Sequence, residues 1–175
     1  MRVEALWVLD GYNVIRRDPR LREVEATQGT EVARALLLSQ VRHFRAQQRR
    51  GVSVVIVYDG GFDGPVPRSK GVRVAFPPPG RTADDTVLAE AKRAEGRQEV
   101  TVVTSDLHDI ASRLRGLSAR HMTVEEFADR LWPDAGGDDA AASADKPEQV
   151  SKGDVDFWMR EFGDDQGSGT NHEGE

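Results

Sequence analysis

Three short apolar runs in this chain end in an aspartate: ALWVLD closes on Asp10, VSVVIVYD on Asp59 and VTVVTSD on Asp106. A further acidic feature, TADD, puts Asp84 and Asp85 in the first turn of a helical pattern. Carboxylates gathered within a few ångströms raise one another's pKa, so a cluster of them stays ionised only beside a cation. With oxygen as the donor type and no cysteine in the chain, the expected cation is Mg2+ or Mn2+ rather than zinc. Such an ion lowers the pKa of bound water and stabilises charge on phosphate oxygens, as phosphodiester hydrolysis requires. A single aspartate at the end of a strand is more often a turn former or a helix cap, and Asp59 before Gly60 and Gly61 suits that role too. Three such positions together with an ADD turn are much harder to explain as caps, and they point to one shared metal site.

Residues this far apart in sequence meet only if the elements bring them together. Residues 5–10, 52–59, 72–76 and 100–106 are near-continuous apolar, β-branched runs, the pattern of strands covered on both faces. A short edge strand is expected around 118–122. Between them, residues 30–50 carry Ala33, Leu37, Val41 and Phe44 at helical spacing, with Gly51 as a stop. Residues 82–95 open with Thr82 and Asp85 in capping-box spacing and stop before Gly96. Short helices are expected at 107–115 and 123–131, before Pro133. Strands and helices alternating in this way predict an α/β, Rossmann-like three-layer sandwich with a mainly parallel central sheet. In such sheets the ligand crevice lies at the C-terminal strand ends, where the aspartates stand.

Other polar groups flank that crevice. Asn13 is placed to reach back from the turn after Asp10, toward a substrate phosphate or a metal-bound water, or else to serve as a turn residue. Thr104 and Ser105 precede Asp106, and a hydroxyl there can bond a carboxylate or a ligand. Arg68 and Lys70 occupy the Gly/Pro-rich loop after Asp59, and Arg81 precedes TADD; all three are candidate phosphate contacts. Arg34, Arg42, Arg45 and Arg49 form a stripe that reads as a solvated helix face. Tyr12 is a candidate for base stacking or for packing. The four histidines show no ligand spacing.

The chain's net charge of −6 hides an uneven distribution. From Asp134 onward lie 12 of the 30 acidic and 3 of the 24 basic side chains, a balance of −9, which leaves residues 1–133 at +3. The folded part therefore does not argue against a nucleic-acid partner. Residues 1–133 are expected to form the domain and 134–150 a disordered acidic linker. In residues 151–163, Val155, Trp158, Met159 and Phe162 give one apolar helix face, expected to dock on the chain's own domain or on a protein partner. Residues 164–175 read as a disordered end. No run is long enough to be a signal peptide or a membrane span, so a cytoplasmic location is expected.

DGYN after the first strand, YDG after the second, TADD opening a helix and TSD after a later strand together resemble the YacP-like branch of the NYN domain family, within the PIN-like nuclease superfamily. The resemblance covers roughly residues 5–133, in order. It implies a PIN-like sheet flanked by helices and metal-dependent endoribonuclease activity on RNA, in mRNA decay or RNA processing. It carries the acidic metal positions to Asp10, Asp84 and Asp106, with Asp59 and Asp85 less securely, and makes Asn13 the family's DGYN asparagine. On this reading Asp10, Asp84 and Asp106 hold the main ion, while Asp59 or Asp85 helps a second one or orients the water. No base-reading motif is present, so specificity is expected from RNA shape or from a partner such as the ribosome.

Three rivals bear comparison. A haloacid-dehalogenase-type phosphatase needs a second aspartate two residues after the first, where this chain has Tyr12. A structure-specific DNA nuclease of the same fold remains open. A catalytically silent RNA- or ribosome-binding module would keep clustered, unused carboxylates at a cost in stability.

Overall fold

A computed structural model of the chain describes residues 5–48, 51–60, 68–106 and 110–133. The expected tail, with its linker and amphipathic helix, lies outside these residues, as does Arg49. The first strand, β1 (Ala5–Asp10), is followed by three helices: α1 (Gly11–Arg17), α2 (Pro19–Gln28) and α3 (Thr30–Gln47). Then come β2 (Val52–Val57), the two-residue β3 (Arg68–Ser69), β4 (Val72–Ala75), α4 (Ala83–Ala94), β5 (Glu99–Val103), α5 (Ile110–Leu114), β6 (Ala119–Met122) and α6 (Val124–Leu131).

The strands form one sheet in the order β3-β4-β2-β1-β5-β6. All neighbours pair in parallel except β3, which runs antiparallel to β4. Successive residues face opposite layers. Leu9, Ile56 and Val103 pack with α1, α2, α3 and α6, whereas Val8, Val55 and Val102 pack with α4 and α5. Burial on both faces is why the strands read as unbroken apolar runs rather than alternating ones.

Two helices escape the sequence reading. The first, α1, is only seven residues long and begins with a glycine, so its DGYN start looks like a turn. The second, α2, buries only Leu21 and Val24, too few for a visible stripe. Its signal is local: Asp18 accepts from the N–H groups of Arg20 and Leu21, both at 3.0 Å, and Pro19 fills the first helical position. The arginine stripe on α3 also needs correction. Six consecutive residues, Ala33 to Leu38, are buried, so α3 is enclosed almost all round and Arg34 is only 6% exposed. Arg42 bonds the Ser69 hydroxyl at 3.3 Å, on the β3–β4 hairpin. Of the expected solvated face, these two arginines are packing residues instead.

The chain leaves β1 toward β2 and β4 on one side, then returns to lay β5 against the other side of β1. That reversal makes a crevice at the C-terminal ends of β1 and β5, the usual ligand position in open α/β sheets.

Candidate functional site

Asp10 is the last residue of β1 and also the N-cap of α1: its carboxylate accepts from the Asn13 N–H at 3.1 Å. Burial is the main reason its pKa is raised to about 6, and the negative charges of Asp84 and Asp106 push the same way. The Asn13 N–H and the Arg16 guanidinium oppose them without prevailing. The crevice therefore brings Asp84 and Asp106 within electrostatic reach of Asp10. Asp84 arrives because α4 begins at the C-terminal end of the sheet, after β4. Its helix start is held by a capping box, in which Asp85 N–H donates to the Thr82 hydroxyl at 3.2 Å and Thr82 N–H donates to the Asp85 carboxylate at 3.4 Å.

Asp106 is positioned by a network around the end of β5. The Ser105 N–H donates to the Asn13 side-chain oxygen at 2.7 Å. The Ser105 hydroxyl donates to Glu125 at 2.9 Å and accepts from the Val124 N–H at 3.0 Å, which fastens the loop to the start of α6. Asp106 N–H donates to the Thr104 hydroxyl at 3.1 Å, and Thr104 N–H to the Met122 carbonyl at 3.1 Å. His121 meets the Thr104 carbonyl at 2.7 Å. Ser105 and Asn13, expected as substrate contacts, are thus engaged in holding the two loops of the crevice together. Glu125, not singled out in the sequence, places another carboxylate beside Ser105.

The other expected residues are spread more widely. Asp59 is exposed beyond β2, and its carboxylate accepts from the adjacent Gly60 N–H at 3.2 Å, the turn-forming role. Asp85 faces Arg113, with 3.0 Å between carboxylate and guanidinium; that hydrogen bond and the capping contact hold its carboxyl below the usual range. Arg81 is exposed at the entry to α4, on the crevice side. Lys70 is not at the crevice. It lies in the turn before Val72, which pairs with Val54, whereas the crevice end of β4 is Ala75, which pairs with Val57. A hairpin returning into β4 necessarily turns at the sheet's opposite edge. The Arg68 side chain lies outside the described residues.

Behind Asp10 is a stack that the sequence did not reveal. The Arg34 guanidinium sits 4.9 Å from the Tyr12 ring centre and 5.2 Å from that of Tyr58. The two rings meet edge to face at 5.4 Å, and Arg16 lies 5.2 Å from Tyr12 on α1. Burial lowers the Arg34 pKa and raises that of Tyr58, each partly offset by the other's charge. Tyr12 is accordingly a packing residue between two cations. Gly11 has no side chain for a steric reason: a Cβ there would stand 2.5 Å from Tyr58 Cε1. The glycine of DGYN thus lets β1 end tightly against Tyr58.

The donors in the crevice are carboxylate oxygens, the type that hard divalent ions prefer. Among the described residues, no three acidic or histidine side chains stand close enough to enclose an ion. A divalent ion that keeps several of its waters needs only one or two direct carboxylates.

A YacP-like NYN domain model matches residues 7–152. No curated protein sequence matches the chain. The crystal structure of Rae1 (YacP) from Bacillus subtilis is similar, with a TM-score of 0.61 and 23% identity over 73% of this chain and 74% of that one. A tryptophan-to-leucine mutant of the same protein gives a TM-score of 0.61 and 23% identity over 74% of this chain and 76% of that one. The sheet order, the crevice carboxylates and a family match across most of the sequence lead to one assignment: the chain belongs to the YacP-like NYN domain family of PIN-like nucleases.

Proposed function

We propose that the chain is a metal-dependent endoribonuclease that hydrolyses RNA phosphodiester bonds, in mRNA decay or RNA processing. The observation that carries this is the convergence of Asp10 with Asp84 and Asp106 at the end of β1, where burial and mutual repulsion raise the Asp10 pKa to about 6. A divalent cation relieves that repulsion. Asp10, Asp84 and Asp106 would hold it, with Mg2+ or Mn2+ as the natural ions for this donor set. When bound, the ion supplies an activated water and stabilises charge on the phosphate oxygens. Asn13 and Ser105 keep the loops that carry Asp10 and Asp106 in register. Arg81 is a phosphate contact at the mouth.

Selectivity is assigned to RNA shape or to docking on a partner such as the ribosome, since the sequence carries no base-reading motif. A cytoplasmic location suits this role; no helix among the described residues is long and apolar enough to cross a membrane. The test is incubation of end-labelled RNA and DNA with the protein in Mn2+, Mg2+ or EDTA. Internal cuts in RNA, lost in EDTA and in Asp10→Asn and Asp106→Asn, support the proposal. Cutting of DNA alone identifies the structure-specific DNA nuclease instead. Binding of RNA without cutting under any metal identifies the silent binding module.

A further inference from the structure

The two faces of the sheet are unequally covered. On one side α1, α2, α3 and α6 share a large core, whereas on the other α4 packs chiefly against β1 and β5. The outward face of β4 on that side, with Arg73 and Ala75, is left as the floor of a trough along α4. Two hollows of about 540 and 810 Å³ lie along it and adjoin at the ion-paired Arg73, Glu90 and Arg93. One end lies at Arg81 and Asp85, in the turn that also carries Asp84; the other lies at Gly96, Arg97 and Gln98. At the helical rise of about 1.5 Å per residue, the stretch of α4 from Asp85 to Ala94 spans roughly 14 Å, and Arg97 follows in the turn beyond it.

The charge of this trough is lopsided. Four arginines line it: Arg73, Arg81, Arg93 and Arg97. Glu90, 7% exposed, binds Arg73 at 2.7 Å and Arg93 at 3.2 Å, one carboxylate between two guanidinium groups. The other acid, Asp85, is matched by Arg113 from α5. Glu90 therefore orients two guanidinium groups while cancelling only one of their two charges, and an oriented donor fork is suited to phosphate. Near the crevice end, Phe76 and Pro78 add flat apolar surface beside Arg81. Cations following a groove, with an aromatic surface for a base, are the combination that binds single-stranded nucleic acid without sequence preference.

We infer that this trough carries the phosphate backbone of single-stranded RNA to or from the carboxylate crevice. The inference rests on the endoribonuclease reading above and extends it to a substrate path and strandedness. Arg93 and Arg97 grip the strand away from the cutting site, and Arg81 hands it to the turn that bears Asp84.

The test is fluorescence anisotropy with a labelled 20-nucleotide single-stranded RNA, using full-length protein in EDTA so that no cutting occurs. The double variant Arg93→Gln, Arg97→Gln removes two trough charges. The double variant Lys92→Gln, Arg115→Gln removes two exposed charges outside it. The trough variant is expected to bind roughly tenfold more weakly, with the slope of log K against log salt shallower by about 1.4, while the control stays near the unsubstituted protein. Equal weakening in both variants, no weakening in either, or no RNA binding by the unsubstituted chain overturns the proposed path. Cutting of the same RNA by the unsubstituted protein in Mn2+ is scored separately. Loss of the trough effect with cutting intact thus refutes the path alone, and absence of cutting refutes the nuclease reading.

Discussion

The Asn13 side-chain oxygen accepts a hydrogen bond from the Ser105 N–H at 2.7 Å, across 92 positions of sequence. The same asparagine donates its own N–H to Asp10, so one residue links the end of β1 to the loop that carries Asp106. Asn13→Ala keeps the backbone donor to Asp10 but strips the Ser105 N–H of its acceptor. A cost of about 1–2 kcal/mol is expected, which for a chain of this size is roughly 2–8 °C in Tm. RNA cutting should fall further than stability, because Asp106 loses its register with Asp10. Thermal denaturation and cleavage rates measured side by side check this. Full cleavage in a destabilised Asn13→Ala would show that the link serves the fold alone.

Asp10 predicts a pH dependence of the metal-free protein. Its folded pKa, about 6, lies above the ordinary value of 3.8. The folded state therefore holds the proton more tightly than the unfolded one, and this contribution is complete below about pH 4 and lost as pH rises through 6. Asn at this position is never charged and still caps α1. In EDTA, Asp10→Asn should be more stable than the unsubstituted protein at pH 8, by on the order of 1–2 kcal/mol after allowance for solvent screening. The gain should vanish near pH 4. Added Mg2+ or Mn2+ should raise the Tm of the unsubstituted protein and do so much less in Asp10→Asn. A metal shift of equal size in both would exclude Asp10 as a ligand.

Most of the architecture could be read before the structure. The runs ending at Asp10, Asp59 and Asp106 became β1, β2 and β5 with their neighbouring turns, and TADD opened α4 through the capping box its spacing announced. Burial on both faces made those strands conspicuous, since nothing interrupts their apolar character. What stayed hidden depended on contacts between distant segments. Lys70 looked like a crevice residue because the loop containing it follows Asp59, and only the β3–β4 pairing shows that the chain has turned at the far edge. Arg34 looked solvated because a charge on a helix usually is, and no local pattern reveals two tyrosine rings arriving from other elements. Asp85 is paired with Arg113, 28 residues on, a contact that the TADD spacing does not disclose.

Gly11 offers a prediction against helix propensity. Alanine is the better helix former by about 1 kcal/mol, yet its Cβ would approach Tyr58 Cε1 to 2.5 Å and Ile56 Cγ2 to 3.0 Å. Tyr58 is fully buried, with the Arg34 guanidinium 5.2 Å from its ring centre, so it has little room to yield. Gly11→Ala is expected to lose about 1–3 kcal/mol through overpacking. Urea denaturation measures it, and a neutral or stabilising result would mean that β1 can shift away from Tyr58.

The end of the described domain predicts where the chain can be cut. Trp132 Nε1 donates to the Asp18 carboxylate at 2.9 Å, and Arg20 lies 4.9 Å from the Trp132 ring centre. These contacts close the end of α6 onto the start of α2. A chain ending at Pro133 is expected to unfold cooperatively with a Tm within a few degrees of the full chain. Without the −9 balance of residues 134–175 it should also bind RNA more tightly at low salt. An unfolded truncation would place residues after 133 in the core.

The strand order also has a temporal side. The first strand to be made, β1, ends up inside the sheet between β2 and β5. As synthesis proceeds, β2 and β4 become available well before residues 99–103 emerge to cover the other edge of β1. Until then a bare apolar strand edge stands ready to pair with another chain, and Asp10 has no Asp106 beside it. A nascent chain is thus most exposed to strand pairing with a neighbour during the interval in which it cannot assemble the carboxylate crevice. Both conditions end with the same event, the docking of β5.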